Sequence, residues 1–129
     1  MLVRAAGDLA PGFYYLDREA RILALVREGD LSEQMADICQ EQRLLAKAGV
    51  QFCLWADMEY VERSLGLRGY RQVLLTAGRL GQRLYLAGGS LGLGCCGVGA
   101  FYDTEAATLL GLGDTTRLLY LQAVGSVPR

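Results

Sequence analysis

Histidine is absent from this 129-residue chain. Without it, neither a Ser-His-Asp triad nor a Cys-His nucleophile can be built from the chain alone. A general base must then be a carboxylate, a tyrosine, a lysine, a cofactor or a group from another subunit. An excess of either charge is missing too. Thirteen Lys and Arg stand against fourteen Asp and Glu, and the basic residues are scattered, so there is no nucleic-acid footprint. No apolar run reaches the roughly 20 residues that cross a bilayer. The opening residues MLVRAAGDLAPG lack the apolar stretch of a signal peptide, so the chain reads as cytoplasmic, without nucleic-acid or membrane partners. Cysteine is sparse. Cys39, Cys53, Cys95 and Cys96 are even in number, but no secretory context points to disulfides. The adjacent pair lacks zinc-knuckle spacing, so no metal site is expected and the cysteines read as small buried apolar residues.

What the chain does hold is apolar surface: 52% of its residues are hydrophobic, which excludes a disordered segment. At this length one domain is expected, spanning residues 1–129 and burying roughly two thirds of its unfolded surface. Phe13-Tyr14-Tyr15-Leu16 and Arg21–Arg27, joined by a polar connection, read as a hairpin. From Leu31 to Lys47 the apolar residues follow a 3.6 period and predict one amphipathic helix, capped by Asp30 or Ser32 and ended near Gly49. Val50–Ala56 is a nearly continuous apolar run, suited to a central strand covered on both faces. A short helix over Asp57–Arg63 ends at Gly66, and a long one runs from about Gly69 to Leu91. Its expected buried stripe is Val73, Leu74, Ala77, Leu80, Leu84, Ala87 and Leu91. Glycine inside a helix costs about 1 kcal/mol relative to alanine, so Gly78, Gly81, Gly88 and Gly89 point to close approach of another helix or a subunit. A short helix capped by Asp103 and ended by Gly111 or Gly113, then a strand over Leu118–Val124, complete the chain. A hairpin first, with helices and strands mixed after it, predicts an α+β or three-layer α/β domain.

The densest feature is Gly92-Leu93-Gly94-Cys95-Cys96-Gly97-Val98-Gly99-Ala100-Phe101-Tyr102-Asp103. By itself such a stretch is usually a helix C-terminus and tight turn. It is not a P-loop, because no Gly-Lys-Ser/Thr follows, and it does not open a long helix as a dinucleotide fingerprint does. Arg68-Gly69-Tyr70-Arg71, at the start of the long helix, reads either as surface charge with a packed tyrosine or as part of a site.

GLGCCGVGAFYD, with RGYR upstream and PGFYYLD near the start, resembles the SagB-type dehydrogenases of the nitroreductase-like FMN enzymes. The resemblance runs from about Pro11 to Val124 and corresponds to the C-terminal part of a typical member. It implies an α+β, nitroreductase-like three-layer domain with a mixed or antiparallel sheet flanked by helices. It also implies FMN as cofactor, hydride transfer through flavin N5, a small-molecule substrate, and a homodimer or a second family subunit as partner. The resemblance puts Gly97, Val98, Gly99 and Ala100 beside the flavin, with Gly99 and Ala100 nearest N5 and O4. Arg68 and Tyr70 would lie near the flavin or substrate cleft, and Arg129 would lie toward the FMN phosphate. Where many members carry a Lys-Tyr acid/base pair this chain has Ser64-Leu65, neither of which exchanges a proton near neutral pH. No catalytic residue is therefore assigned. The other reading is a non-catalytic subunit that has lost the cofactor and acts through a partner chain.

Overall fold

The computed structural model describes residues 1–127, so the expectation for Arg129 lies outside the described residues. One sheet carries β1 (Leu2–Val3), β2 (Gly12–Asp17), β3 (Ile22–Glu28), β4 (Val50–Asp57), β5 (Leu93–Val98) and β6 (Thr116–Ser126) in the order β3-β2-β1-β4-β6-β5. Every neighbouring pair is antiparallel, which settles the choice between a mixed and an antiparallel sheet. The helices are α1 (Ser32–Ile38), α2 (Arg43–Ala46), α3 (Met58–Leu65), α4 (Gly69–Ser90) and α5 (Asp103–Leu110).

Alternation along the central strands divides the helices into two layers. Leu121 and Ala123 of β6, Cys53 of β4 and Val98 of β5 share a core with Met35 and Cys39 at α1, Leu45 of α2 and Ala106 and Leu110 of α5. The Gln51 amide is fully buried on this side, donating to Ser32 O at 3.3 Å and Leu45 O at 2.9 Å, so it ties α1 and α2 to β4. Burial here pushes the Cys53 thiol up to about 12 and the Cys39 thiol to about 11, as inert core thiols should behave. The opposite face belongs to α4. A Cβ at Gly81 would stand 2.7 Å from the Tyr120 ring, and one at Gly88 would strike Cys95 Sγ, so the helix lies directly on β5 and β6. The result is an α+β domain in three layers, as expected.

Local signals set several boundaries. The Asp57 carboxylate caps α3, accepting from Glu59 N at 3.0 Å and Tyr60 N at 3.3 Å, and Gly66 ends the helix at φ 67°. Gly111, at φ 64°, ends α5 in the left-handed conformation. Other expectations need correction. The helix drawn over Leu31–Lys47 is two helices, because Gln40 and Glu41 turn left-handed at φ 60° and 58°. Asp30 does not cap α1 in the helical sense; its carboxylate accepts from Ser32 N at 2.9 Å while Leu31 holds the cap position. Asp103 is the first residue of α5 rather than its cap, which is Tyr102. The Gly-rich stretch is mostly not a turn. Residues 93–98 form β5, an edge strand pairing Leu93 with Ser126 through Val98 with Leu121. On α4, Ala77 is buried as expected, but Leu74, Ala87 and Leu91 are exposed, and Gly81 and Gly88 take their places against the sheet.

Candidate active site

Directly after β5 the chain leaves the sheet through Gly99-Ala100-Phe101 and enters α5. Tyr102 N–H donates to Ile38 O at 3.0 Å, fixing the end of this segment to the end of α1. The N–H groups of Gly99, Ala100 and Phe101 have no acceptor among the described residues. They border a cleft of about 550 Å³ into which four other parts of the chain converge. Tyr70 and Leu74 come from the first turns of α4, and Gln40 from the α1–α2 connection. Asp103 comes from the start of α5, and Arg117, Leu118 and Leu119 from the start of β6. Its lining mixes Leu74, Phe101, Leu118 and Leu119 with the polar groups of Gln40, Tyr70, Asp103 and Arg117, and its size is that of a small-molecule site.

The glycines differ sharply in what they accommodate. Above Gly97, the Tyr120 hydroxyl sits so close that no Cβ could fit, and Gly97 N–H donates to Tyr85 Oη at 2.7 Å. Burial chiefly, with Tyr85 and Cys96 adding to it, holds the Tyr120 hydroxyl above its ordinary pKa. Gly97 is thus committed to packing α4 on the sheet. Gly99 has no such duty. It is exposed, its φ is not in the left-handed region, and a Cβ built on it meets no atom within 4 Å. What its missing side chain leaves open is the cleft.

Of the residues expected at a site, the fold brings Tyr70, Gly99 and Ala100 into this one cleft. Val98 adjoins them through its backbone only, since its side chain is buried in the core on the α1–α5 side. Arg68 ends the 3-10 turn at residues 66–68 and is exposed, outside the residues that line the cleft. Gln40, Leu74 and Arg117 were not expected. No local signal marks Gln40 or Arg117, which reach the cleft through the break between α1 and α2 and the pairing of β6 with β4, while Leu74 stands one turn along α4 from Tyr70. Arg117 is held in place, its Nη1 donating to Asp114 O at 2.7 Å and Thr116 O at 3.1 Å. A second concavity of about 370 Å³ lies between α4 and the β2–β4 region, floored by Phe52, Leu54 and Trp55. Tyr15 stacks on Trp55 there, at 6.3 Å between ring centroids.

The nitroreductase family model matches residues 4–126. The chain belongs to the nitroreductase family. A Methanocaldococcus jannaschii protein assigned to the nitroreductases is 31% identical over 117 residues, 91% of this chain and 59% of the relative. A crystal structure of an Anabaena variabilis protein with the same assignment superposes with a TM-score of 0.89 at 31% identity, over 95% of this chain and 25% of that one. The NADPH:FMN oxidoreductase of Vibrio harveyi, solved with NAD+, shares the fold at a TM-score of 0.65 and 18% identity, over 76% of this chain and 46% of that one. The chain therefore spans little more than half the length of its curated relative. Proteins of this family are typically flavin-dependent oxidoreductases. No helix among its described residues is long and apolar enough to cross a membrane.

Proposed function

We propose that this nitroreductase-family chain is the flavin-contacting part of an FMN-dependent oxidoreductase of the SagB-type dehydrogenase branch, corresponding to the C-terminal part of the full family domain. The observation that carries the reading is the run of unpartnered N–H groups at Gly99, Ala100 and Phe101, on a cleft edge that Gly99 leaves open.

The residues fit the group. A flavin ring presents a planar polar edge, and consecutive backbone donors with no side chain in front of them can approach such an edge closely. FMN, when bound, supplies hydride transfer through N5 between a donor and a small-molecule acceptor. The chain's own contribution is electrostatic. The Gly99 and Ala100 N–H groups are fixed before binding by β5 on one side and by the Tyr102–Ile38 hydrogen bond on the other, so they need no reorganisation as charge develops on the ring edge. Tyr70 and Leu74 wall the cleft on the α4 side. Gly97 and Val98 act at one remove, by holding the strand that aims Gly99. The reading keeps the expected cytoplasmic setting.

A homodimer, or a second family subunit, completes the site. Leu75, Leu86 and Leu91 of the α4 region stay exposed at 54%, 65% and 73%, as do Ile22 and Val26 on the hairpin, which favours a covering chain. The same exposed faces favour the second reading, a subunit whose activity depends wholly on another chain.

Titration of FMN with the purified protein, followed by quenching of flavin fluorescence, separates the two. Saturable, stoichiometric quenching is expected. Unquenched FMN at high micromolar protein would leave only the partner-dependent subunit.

A further inference from the structure

We propose that Gln40 is a ligand-contacting residue of the cleft, whose side-chain amide hydrogen-bonds the polar edge of the bound flavin ring. The inference rests on the flavin reading above and goes beyond it, because no resemblance or motif points to this position.

Gln40 and Glu41 are consecutive non-glycine residues in the left-handed region, at φ 60° and 58°. For a side chain without the short polar group of Asn or Asp this conformation is unfavourable, and glycine at either position would relieve it. The backbone is held there from several directions. Tyr102 N–H donates to Ile38 O, Glu41 N–H to Asp37 O at 3.2 Å, and Gln42 Nε2 to Cys39 O at 2.9 Å, while Arg43 pairs with Asp37 at 2.8 Å. These contacts account for the turn but not for the glutamine. The Gln40 amide makes no hydrogen bond among the described residues, is exposed, and lines the same cleft as Gly99 and Ala100. Glu41 has the same backbone strain and does not line the cleft. Strain that persists where glycine would remove it points to use of the side chain. A carboxamide, with one donor and one acceptor side by side, matches a ring edge that alternates carbonyl oxygens with a ring N–H. Asp103 and Arg117, the charged residues on the same cleft, each offer only one half of that pattern.

The test compares Gln40→Gly, Glu41→Gly and Gln40→Asn, each read by thermal melting and by FMN titration. Both glycine variants should melt higher than the wild type, because both relieve the same strain. Only Gln40→Gly should weaken FMN binding, by about five- to tenfold, the usual worth of one hydrogen bond. Gln40→Asn keeps the amide and tolerates the left-handed backbone, so it should recover part of the lost affinity. Riboflavin should lose affinity by the same factor as FMN, since the contact is to the ring. The proposal is overturned if Gln40→Gly binds FMN like the wild type. It is also overturned if Gln40→Gly melts lower, or if Glu41→Gly weakens binding equally, because the residue's role is then structural. Failure of the wild type to bind FMN at all overturns the flavin reading itself and is distinguished by that first titration.

Discussion

Two neighbouring parts of the Gly-rich stretch use the same residue type for opposite ends. In β5, glycine lets something inside the protein come close: Tyr120 over Gly97, and on the facing helix Cys95 against Gly88. Two residues beyond Gly97, Gly99 has nothing of the protein near its missing side chain. The first kind is spent on packing α4 against the sheet. The second leaves space at the cleft that no atom of the described residues fills. Composition treats all of them alike, and only the tertiary neighbours tell them apart.

The largest effect that sharpens this contrast belongs to the packed side. Gly97→Ala must displace the Tyr120 ring, and overpacking of this kind costs about 3 kcal/mol. Urea unfolding should register that loss, and Tyr120→Phe in the same background should recover part of it by removing the hydroxyl that meets the new methyl. Full stability of Gly97→Ala would break the distinction.

Next in size is Gly78, on the outer side of α4, where a Cβ meets nothing. With no packing reason for glycine within the chain, Gly78→Ala should stabilise the isolated protein by about 1 kcal/mol through helix propensity. If a second subunit packs on this face, the same change should instead weaken association in sedimentation analysis. Gly78 would then join the packing glycines.

The smallest effect is a pH dependence confined to the packed side. Tyr120 has its pKa raised in the folded state above the ordinary 10.0, chiefly by burial. Its neutral form is therefore favoured on folding. The associated stability is complete below about pH 10 and is lost as pH rises through the folded value, where the unfolded chain has already released its proton. Melting temperatures measured across that range should fall more steeply for the wild type than for Tyr120→Phe.

Much of the fold was legible because its signals are local. The hairpin, β4, α4 and β6 all stand where periodicity and apolar runs predict them, α4 within one residue at its end. The break between α1 and α2 was hidden because Met35, Ile38 and Leu45 keep helical phase across it. What interrupts the helix is the left-handed turn at Gln40 and Glu41, pinned in part by a hydrogen bond from Tyr102, more than sixty positions away. β5 was hidden for another reason. Glycine is disfavoured in strands, so LGCCGV reads as a turn until β6 supplies a partner for it. The two-residue β1 is too short to leave a periodic signal. At the cleft, Tyr70, Gly99 and Ala100 were reached through the family resemblance. Gln40 and Arg117 depend on strand pairing and a helix break that the sequence does not announce.

The most direct measurement is the FMN dissociation constant of the wild type beside that of Gly99→Val, with melting temperatures for both. Valine at this position meets no protein atom within 4 Å at its Cβ and needs no unusual backbone. Stability should therefore stay within about 0.5 kcal/mol, as for an ordinary surface substitution. Affinity for FMN should drop by at least about tenfold, equivalent to ~1.4 kcal/mol, because the branched side chain stands between the ring edge and the Gly99 and Ala100 N–H groups. Unchanged FMN affinity in a stably folded Gly99→Val protein would contradict the assignment of this cleft as the flavin site.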